Sequence, residues 1–161
     1  MKVLLMRHGE ASFNSPTDAK RPLTPVGSKS VIQQCQNPKV PWHEFTDAWA
    51  SPYVRTQQTA SLLLQHCAEK HHGLNVWSLD CITPHGEIKQ VQEFLLHQPH
   101  KNVVFITHQP LISSLIGYFC HADEHMGEAM MPASMALLEG DVAAAGRLKL
   151  THLLHPLGQL I

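Results

Sequence analysis

Two apolar runs in this 161-residue chain end on histidine. Val3-Leu4-Leu5-Met6 passes into Arg7-His8-Gly9, and Val103-Val104-Phe105-Ile106 passes into Thr107-His108. Runs of this length are too short for core helices and suit buried strands. Between them, Asp47-Ala48-Trp49-Ala50-Ser51 reads as another strand, and Ser51-Pro52 leads into a helix that carries Arg55 near its first turn. Arginine offers a planar fork of donors for phosphate or carboxylate, and histidine is the side chain most easily used as base or nucleophile near neutral pH. If the strands run parallel, their C-terminal ends share one edge, where His8 and His108 can meet and where Ser51 ends the second strand. Arg55 then sits beside a helix N-terminus, whose unpaired N–H groups favour anions. Arg7 and Arg21 add further guanidinium groups. Two histidines ringed by two or three arginines suit a dianionic phosphoryl group. The arginines hold its non-bridging oxygens and offset charge during in-line transfer, while a neutral histidine attacks phosphorus to give a phosphohistidine that water hydrolyses. The same pattern also serves a phosphate-binding module without turnover.

The elements that must position these residues follow a β-then-α rhythm. The first strand, Val3 to Met6, is followed by a polar loop from Ser12 to Lys20. Thr24-Pro25 is an N-cap and first-turn pair that predicts a helix from Pro25 to Cys35. Ser51-Pro52 repeats that signal, and Ala60, Leu63, Leu64 and Cys67 form the apolar stripe of the helix that follows, closed at Gly73-Leu74. Val76 to Leu79 reads as a strand. Thr83-Pro84 opens a third helix with Ile88, Val91 and Leu95 on one face. After the strand ending at Thr107, Pro110 starts a helix with Ile112, Leu115, Ile116 and Phe119 on one side. Ser134 to Glu139 and Arg147 to Leu154 read as two strands joined by the Gly140 to Gly146 loop. The pattern predicts an α/β fold: a mostly parallel sheet with helices on both faces, finished by antiparallel strands.

Composition narrows the function classes. Hydrophobic residues make up 43% and charged residues 16%, which predicts a folded chain of one domain, residues 1–161. The formal net charge of -1, without a Lys/Arg block, argues against nucleic acid or an anionic membrane as the main partner. No apolar run is long enough to span a bilayer and no signal-peptide pattern precedes the first strand. Cys35, Cys67, Cys81 and Cys120 are scattered without C-x-x-C spacing, which fits reduced thiols in a cytoplasmic protein. The 13 histidines include His71-His72, His97 with His100, His121 with His125, and His152 with His155. None joins a Cys or carboxylate pattern of a zinc site, and His43-Glu44 lacks the second histidine of H-E-x-x-H, so neither metal nor cofactor is expected.

Arg7-His8-Gly9, then Ser51-Pro52-Tyr53-Val54-Arg55-Thr56-Gln57-Gln58-Thr59, then His108-Gln109-Pro110 resemble the three signature blocks of the histidine phosphatase superfamily. Order and spacing match from residue 3 to about residue 120. The segment from Asp18 through Arg21-Pro22-Leu23-Thr24-Pro25 to Gly27, with the short chain, is similar to the small bacterial phosphohistidine protein phosphatases, the SixA type. The resemblance implies a three-layer α/β/α sandwich around a mixed sheet, and a metal-independent phosphatase. It implies that His8 is the phosphorylated nucleophile, that Arg7 and Arg55 are its phosphate ligands, and that His108 donates to the transferring group. Arg21 is a further phosphate contact on the same ground. The implied partner is a phosphohistidine-bearing protein such as a histidine phosphotransfer domain, met by a monomer in phosphorelay signalling.

Larger relatives carry a catalytic acid after the second block and insertions that form a lid. Between Thr59 and Val103 this chain has room for about a helix, a strand and another helix, so no large lid is expected. Among the carboxylates of that segment, Glu69, Asp80 and Glu87 do not align with the family acid. Glu87 reads instead as a first-turn acid that complements its helix dipole. An imidazole leaves readily once its ring is protonated, whereas an alkoxide needs a proton during P–O cleavage, so the missing acid favours phosphohistidine as substrate. Asn14, six residues after His8 as in the phosphoglycerate mutase branch, keeps a small-molecule phosphomonoesterase as the alternative.

Overall fold

The computed structural model describes residues 1–67, 73–98 and 101–158. Glu69, His71, His72 and His100, with the expected run of the second helix toward Gly73, lie outside the described residues. In chain order the main elements are β1 (Lys2–Arg7), α1 (Pro25–Cys35), β2 (Asp47–Ala50), α2 (Val54–Cys67), β3 (Asn75–Ser78), α3 (Ile88–Leu96), β4 (Val103–Thr107), α4 (Leu111–His121), β5 (Met135–Glu139) and β6 (Lys149–Leu154). Short 3-10 turns cover Asp18–Lys20, Trp42–Glu44 and Asp80–Ile82. The described strands form one sheet in the order β3-β2-β4-β1-β5-β6. β3, β2, β4 and β1 are mutually parallel, and β5 and β6 are antiparallel to their neighbours. This is the predicted α/β/α sandwich around a mixed sheet.

The two central strands are apolar on both faces because both faces are covered. Leu4, Met6, Val104 and Ile106 pack with Val31, Cys35, Ala60 and Leu63 on the α1/α2 side. Val3, Leu5, Val103 and Phe105 pack with Val91, Leu95, Ile112 and Phe119 on the α3/α4 side. Each large side chain fully withdrawn from water in this way contributes roughly 1.5–3 kcal/mol before entropy is charged against it. The result is a rigid frame whose strand tips are held in register.

α1 begins as predicted: Pro25 occupies the first turn, and Thr24 Oγ1 accepts from the Gly27 amide at 3.0 Å. Two other helix starts differ from expectation. α2 begins at Val54 rather than Pro52, because the Ser51 hydroxyl is bound to His108 and keeps only a 3.3 Å contact from the Tyr53 amide. α3 begins at Ile88, not at Thr83-Pro84. Those residues form a turn closed by Gly86 N–H to the Thr83 carbonyl at 3.0 Å. Glu87 is therefore the residue before the helix and makes no side-chain cap, so the first-turn role is not realised. Leu64 was placed on the apolar stripe of α2 but is 43% exposed. The helix is rotated so that Arg55, Thr56 and Thr59 are buried along with Ala60, Leu63 and Cys67.

Candidate active site

Strand register brings the two histidines together. Arg7 lies opposite Thr107 and Ala50 opposite Ile106, so His8, His108 and Ser51 emerge from three adjacent strands at one edge. The ladder continues past the strand ends: His8 N–H donates to the Thr107 carbonyl at 3.1 Å and Ser51 N–H to the Ile106 carbonyl at 3.2 Å. The other side is tied to β5, where the Ala133 amide donates to the His8 carbonyl at 2.9 Å and the Arg7 amide to the Ser134 carbonyl at 3.0 Å. Thr59 Oγ1 accepts from the Gly9 amide at 3.2 Å, linking α2 to the turn after His8. The start of α1 is seated on that turn so closely that a Cβ on Gly27 would lie 2.2 Å from the Glu10 carbonyl oxygen. His8 is thus held by backbone bonds on both sides and by two helices.

The His8 ring is 6% exposed, with Nδ1 2.7 Å from the Gly9 carbonyl oxygen. A carbonyl only accepts, so Nδ1 carries the proton and Nε2 keeps its lone pair. That lone pair accepts from Arg55 Nε–H at 3.1 Å. Burial lowers the His8 pKa from 6.5 to about 3, reinforced by the charges of Arg55, Arg7 and Arg21 and opposed by the Gly9 carbonyl. The His108 ring lies beside it, centroids 5.1 Å apart, and is 1% exposed. Its pKa is also lowered to about 3, first by burial, then by His8 and Arg55. His108 Nε2 is 2.7 Å from Ser51 Oγ, and the Tyr53 ring meets the imidazole edge-on at 4.9 Å. Its Nδ1 is buried without a hydrogen-bond partner among the described residues.

Three guanidinium groups surround this pair, and one carboxylate gathers two of them. Arg55 donates from Nη1 to the Asp18 carbonyl at 2.7 Å and from Nη2 to Asp18 Oδ2 at 3.2 Å. Arg21 donates from Nη1 to Asp18 Oδ1 at 3.1 Å and fixes its other nitrogens on the Ser12 and Ala11 carbonyls. Its guanidinium also stacks 4.0 Å above the Phe13 ring. Arg7 donates to the Met130 carbonyl at 2.8 Å, and its Nε is buried without a partner. Burial and the charges of Arg55 and Arg21 lower the Arg7 pKa. Burial alone would raise the Asp18 carboxyl, but the hydrogen bonds from Arg21 and Arg55 outweigh it and hold that group below its ordinary value. A carboxylate thus occupies the arginine donors that suit a phosphoryl oxygen.

These groups open into one cavity of about 450 Å3. Arg7, His8, Asp18, Arg21 and Arg55 line it, together with Glu10 and His85, and Phe13, Pro84, Pro110 and Pro132 form its apolar walls. His108 lies beside His8 at the floor of this arrangement, ring centroids 5.1 Å apart. Asp80 and Glu87 are exposed and do not line the cavity. Asn14 is exposed outside the cavity lining, its amide donating to Ser12 Oγ. Among the described residues, no group of three His, Cys, Asp or Glu side chains is arranged to hold a metal ion, and no helix is long and apolar enough to cross a membrane.

Sequence reasoning passed over three participants. Asp18 was visible only as part of the segment preceding Arg21, although its spacing of three residues from Arg21 is an ion-pair signal. Ser51 was read as a strand end and Thr59 as a motif letter, yet both hydroxyls are fully buried and bound to site residues.

No protein-family model matches the chain. Over 125 residues, 72% of this chain and 75% of the relative, it is 30% identical to the phosphohistidine phosphatase SixA homolog of Haemophilus influenzae. It is 29% identical over 126 residues to the phosphohistidine phosphatase SixA of Escherichia coli, covering 74% of each chain. The solved structure of the protein histidine phosphatase SixA complexed with tungstate superimposes with a TM-score of 0.84 over 97% of each chain at 24% identity, a likeness of fold.

Proposed function

Because the chain belongs to the SixA type of the histidine phosphatase superfamily and is a phosphohistidine phosphatase, we propose that His8 takes the phosphoryl group from a histidine of a phosphotransfer protein. The observation that carries this reading is the state of His8: Nδ1 is locked on the Gly9 carbonyl, Nε2 keeps its lone pair and receives the Arg55 Nε–H, and burial lowers the pKa of the ring to about 3. A nucleophile in that state needs no base to activate it.

In the first step, Nε2 of His8 attacks phosphorus in line with the departing substrate nitrogen. Arg7, Arg21 and Arg55 receive the non-bridging oxygens, Arg55 turning from Nε2 and Asp18 to do so. In the second step, water attacks the phosphohistidine and releases phosphate. His108 donates from Nδ1 to a phosphoryl oxygen in both steps. Support for that role is the orphaned, buried Nδ1, which lacks a hydrogen-bond partner among the described residues. The chain acts as a single domain with no lid among the described residues, so its cavity admits a histidine projecting from another protein's helix. A monomer in the cytoplasm, serving a phosphorelay, completes the reading.

The test is incubation with a histidine phosphotransfer domain carrying labelled phosphohistidine. Label is expected to disappear in the presence of the protein and persist with His8→Ala. Loss no faster than in buffer overturns the protein substrate. Efficient turnover of sugar or nucleotide phosphates in its place would move the assignment to a small-molecule phosphomonoesterase.

A further inference from the structure

With phosphohistidine hydrolysis as its premise, the chain still requires a proton donor for the leaving group and an acceptor for the attacking water. His8 supplies neither, because its Nδ1 proton is held by Gly9 and its Nε2 bonds phosphorus. Asp18 is kept ionised by Arg21 and Arg55. Glu10 accepts from the Thr24 hydroxyl at 2.8 Å. His85 lines the same cavity, is exposed, and among the described residues is the ionisable group of that lining without a hydrogen-bond partner in the protein.

Its backbone is held where such a role demands rigidity. Thr107 Oγ1, one residue before His108, donates to the Ile82 carbonyl at 2.6 Å and ties the turn to the end of β4. The turn closes on itself through the 3.0 Å bond from Gly86 N–H to the Thr83 carbonyl. Gly86 is seated so tightly that a Cβ there would lie 2.1 Å from the Cys81 carbonyl oxygen and 2.9 Å from Leu111 Cδ2 at the start of α4. The backbone on either side of His85 is thus fixed to the strand and helix that flank His108, while the imidazole itself is free to meet a ligand.

We propose that His85 is the proton donor and acceptor of the two phosphoryl-transfer steps. In the first, the His8 Nε2–P bond forms as the substrate N–P bond breaks, and the departing nitrogen takes a proton from the His85 imidazolium. His85 is left neutral, and His8 becomes a phosphorylated imidazolium that still carries its Nδ1 proton. In the second, water attacks phosphorus and gives one proton to His85. The Nε2–P bond breaks with its electron pair returning to Nε2, hydrogen phosphate departs, and His85 is again an imidazolium. Charge and protons balance over the cycle without another acid.

The experiment compares wild type, His85→Gln and His85→Ala by rapid quench. One donor is a labelled phosphotransfer domain and the other is phosphoramidate. Formation and decay of acid-labile phosphate on His8 are followed separately. His85 is exposed, so both variants are expected to keep the wild-type unfolding midpoint. Each step is expected to slow about 10²-fold in either variant, and added imidazole to restore much of the rate to His85→Ala while leaving wild type unchanged. Wild-type rates in His85→Ala, or a loss that imidazole does not rescue, overturn the inference. Wild type that phosphorylates His8 from phosphoramidate but ignores the protein refutes the substrate reading and leaves the His85 comparison intact. Wild type that forms no phosphohistidine from either donor overturns both.

Discussion

Ser51→Ala is the sharpest probe of how the two-histidine centre is held. Ser51 Oγ is fully buried 2.7 Å from His108 Nε2 and also receives the Tyr53 amide at 3.3 Å. With that amide donating to the oxygen, the hydroxyl proton is available to His108 Nε2, and the His108 proton then resides on Nδ1. Only this tautomer offers a donor to a phosphoryl group, which presents acceptors. Removing the hydroxyl leaves a buried imidazole nitrogen unsatisfied, at a cost of about 1–3 kcal/mol in stability, or roughly 2–12 °C in unfolding midpoint for a chain of this size. Losing a transition-state donor outright costs about 10²–10³ in rate. Losing only what orients that donor sets a smaller expectation, a roughly 10- to 10²-fold fall in kcat/KM. The assay is a double-mutant cycle with His108→Ala, read alongside 15N shifts of the His108 ring. The Ser51→Ala loss should vanish in the His108→Ala background, and the wild-type spectrum should show the proton on Nδ1. Equal losses in both backgrounds, or a wild-type proton on Nε2, refute the reasoning.

Asp18→Asn removes the charge that holds Arg21 and Arg55. Since Asp18 is 57% exposed in its side chain, the screened gain for an incoming anion is about 0.5–1 kcal/mol, seen as inhibition by inorganic phosphate tightening two- to fivefold; unchanged or weaker inhibition counts against competition by the carboxylate. The folded pKa values near 3 for His8 and His108, against 6.5 as the ordinary value, mean that the unfolded chain binds more protons in between. Stability from these groups is therefore complete above pH 6.5 and falls as the pH drops toward 3, by ~2 kcal/mol per histidine between pH 7 and 5. Urea midpoints of wild type and His8→Ala at those two pH values check the sign, the variant losing less. Gly27→Ala forces a Cβ to within 2.2 Å of the Glu10 carbonyl oxygen. It should cost about 1–3 kcal/mol in thermal unfolding and slow phosphorylation of His8, whereas a neutral result would show that α1 is not seated as described.

The frame and the paired histidines were legible because they depend on contiguous signals. An apolar run that stops on Arg7-His8, and a second that stops on Thr107-His108, need only a parallel register to bring the rings to a centroid separation of 5.1 Å. α1 was readable to the residue because Thr24 and Pro25 act locally. The missed features depend on distant partners. Ser51 looked like a helix cap, but its hydroxyl is claimed by His108, so α2 starts two residues after Pro52. Thr83-Pro84 looked like another cap, but Thr107 and Gly86 hold that turn against the end of β4 and α4. Leu64 fell on a reasonable stripe, yet burial of Arg55, Thr56 and Thr59 for the site sets the helix rotation. Asp18 meets Arg55 only because the 3-10 turn at Asp18–Lys20 crosses in front of α2, a contact across 37 positions of sequence.

The arginines bear on both binding and proton traffic. Their charges, added to burial, hold the pKa values of His8 and His108 well below the ordinary value, so the nucleophile proposed at His8 is ready without a base. The same charges depress Asp18, the carboxylate facing them, and so remove it as a proton donor. Strong phosphate binding and a carboxylic acid at the position of Asp18 are therefore in conflict within this cavity, because that carboxyl is drawn into ion pairs with Arg21 and Arg55. An imidazole escapes that conflict, because its neutral form is not attracted to guanidinium and its protonated form is repelled. The donor then needs a place on the cavity wall outside those ion pairs, such as the wall beside Pro110 and the strand end that carries His108. The turn at Thr83–Gly86 meets that condition, and His85 is the proton-carrying side chain it presents to the cavity.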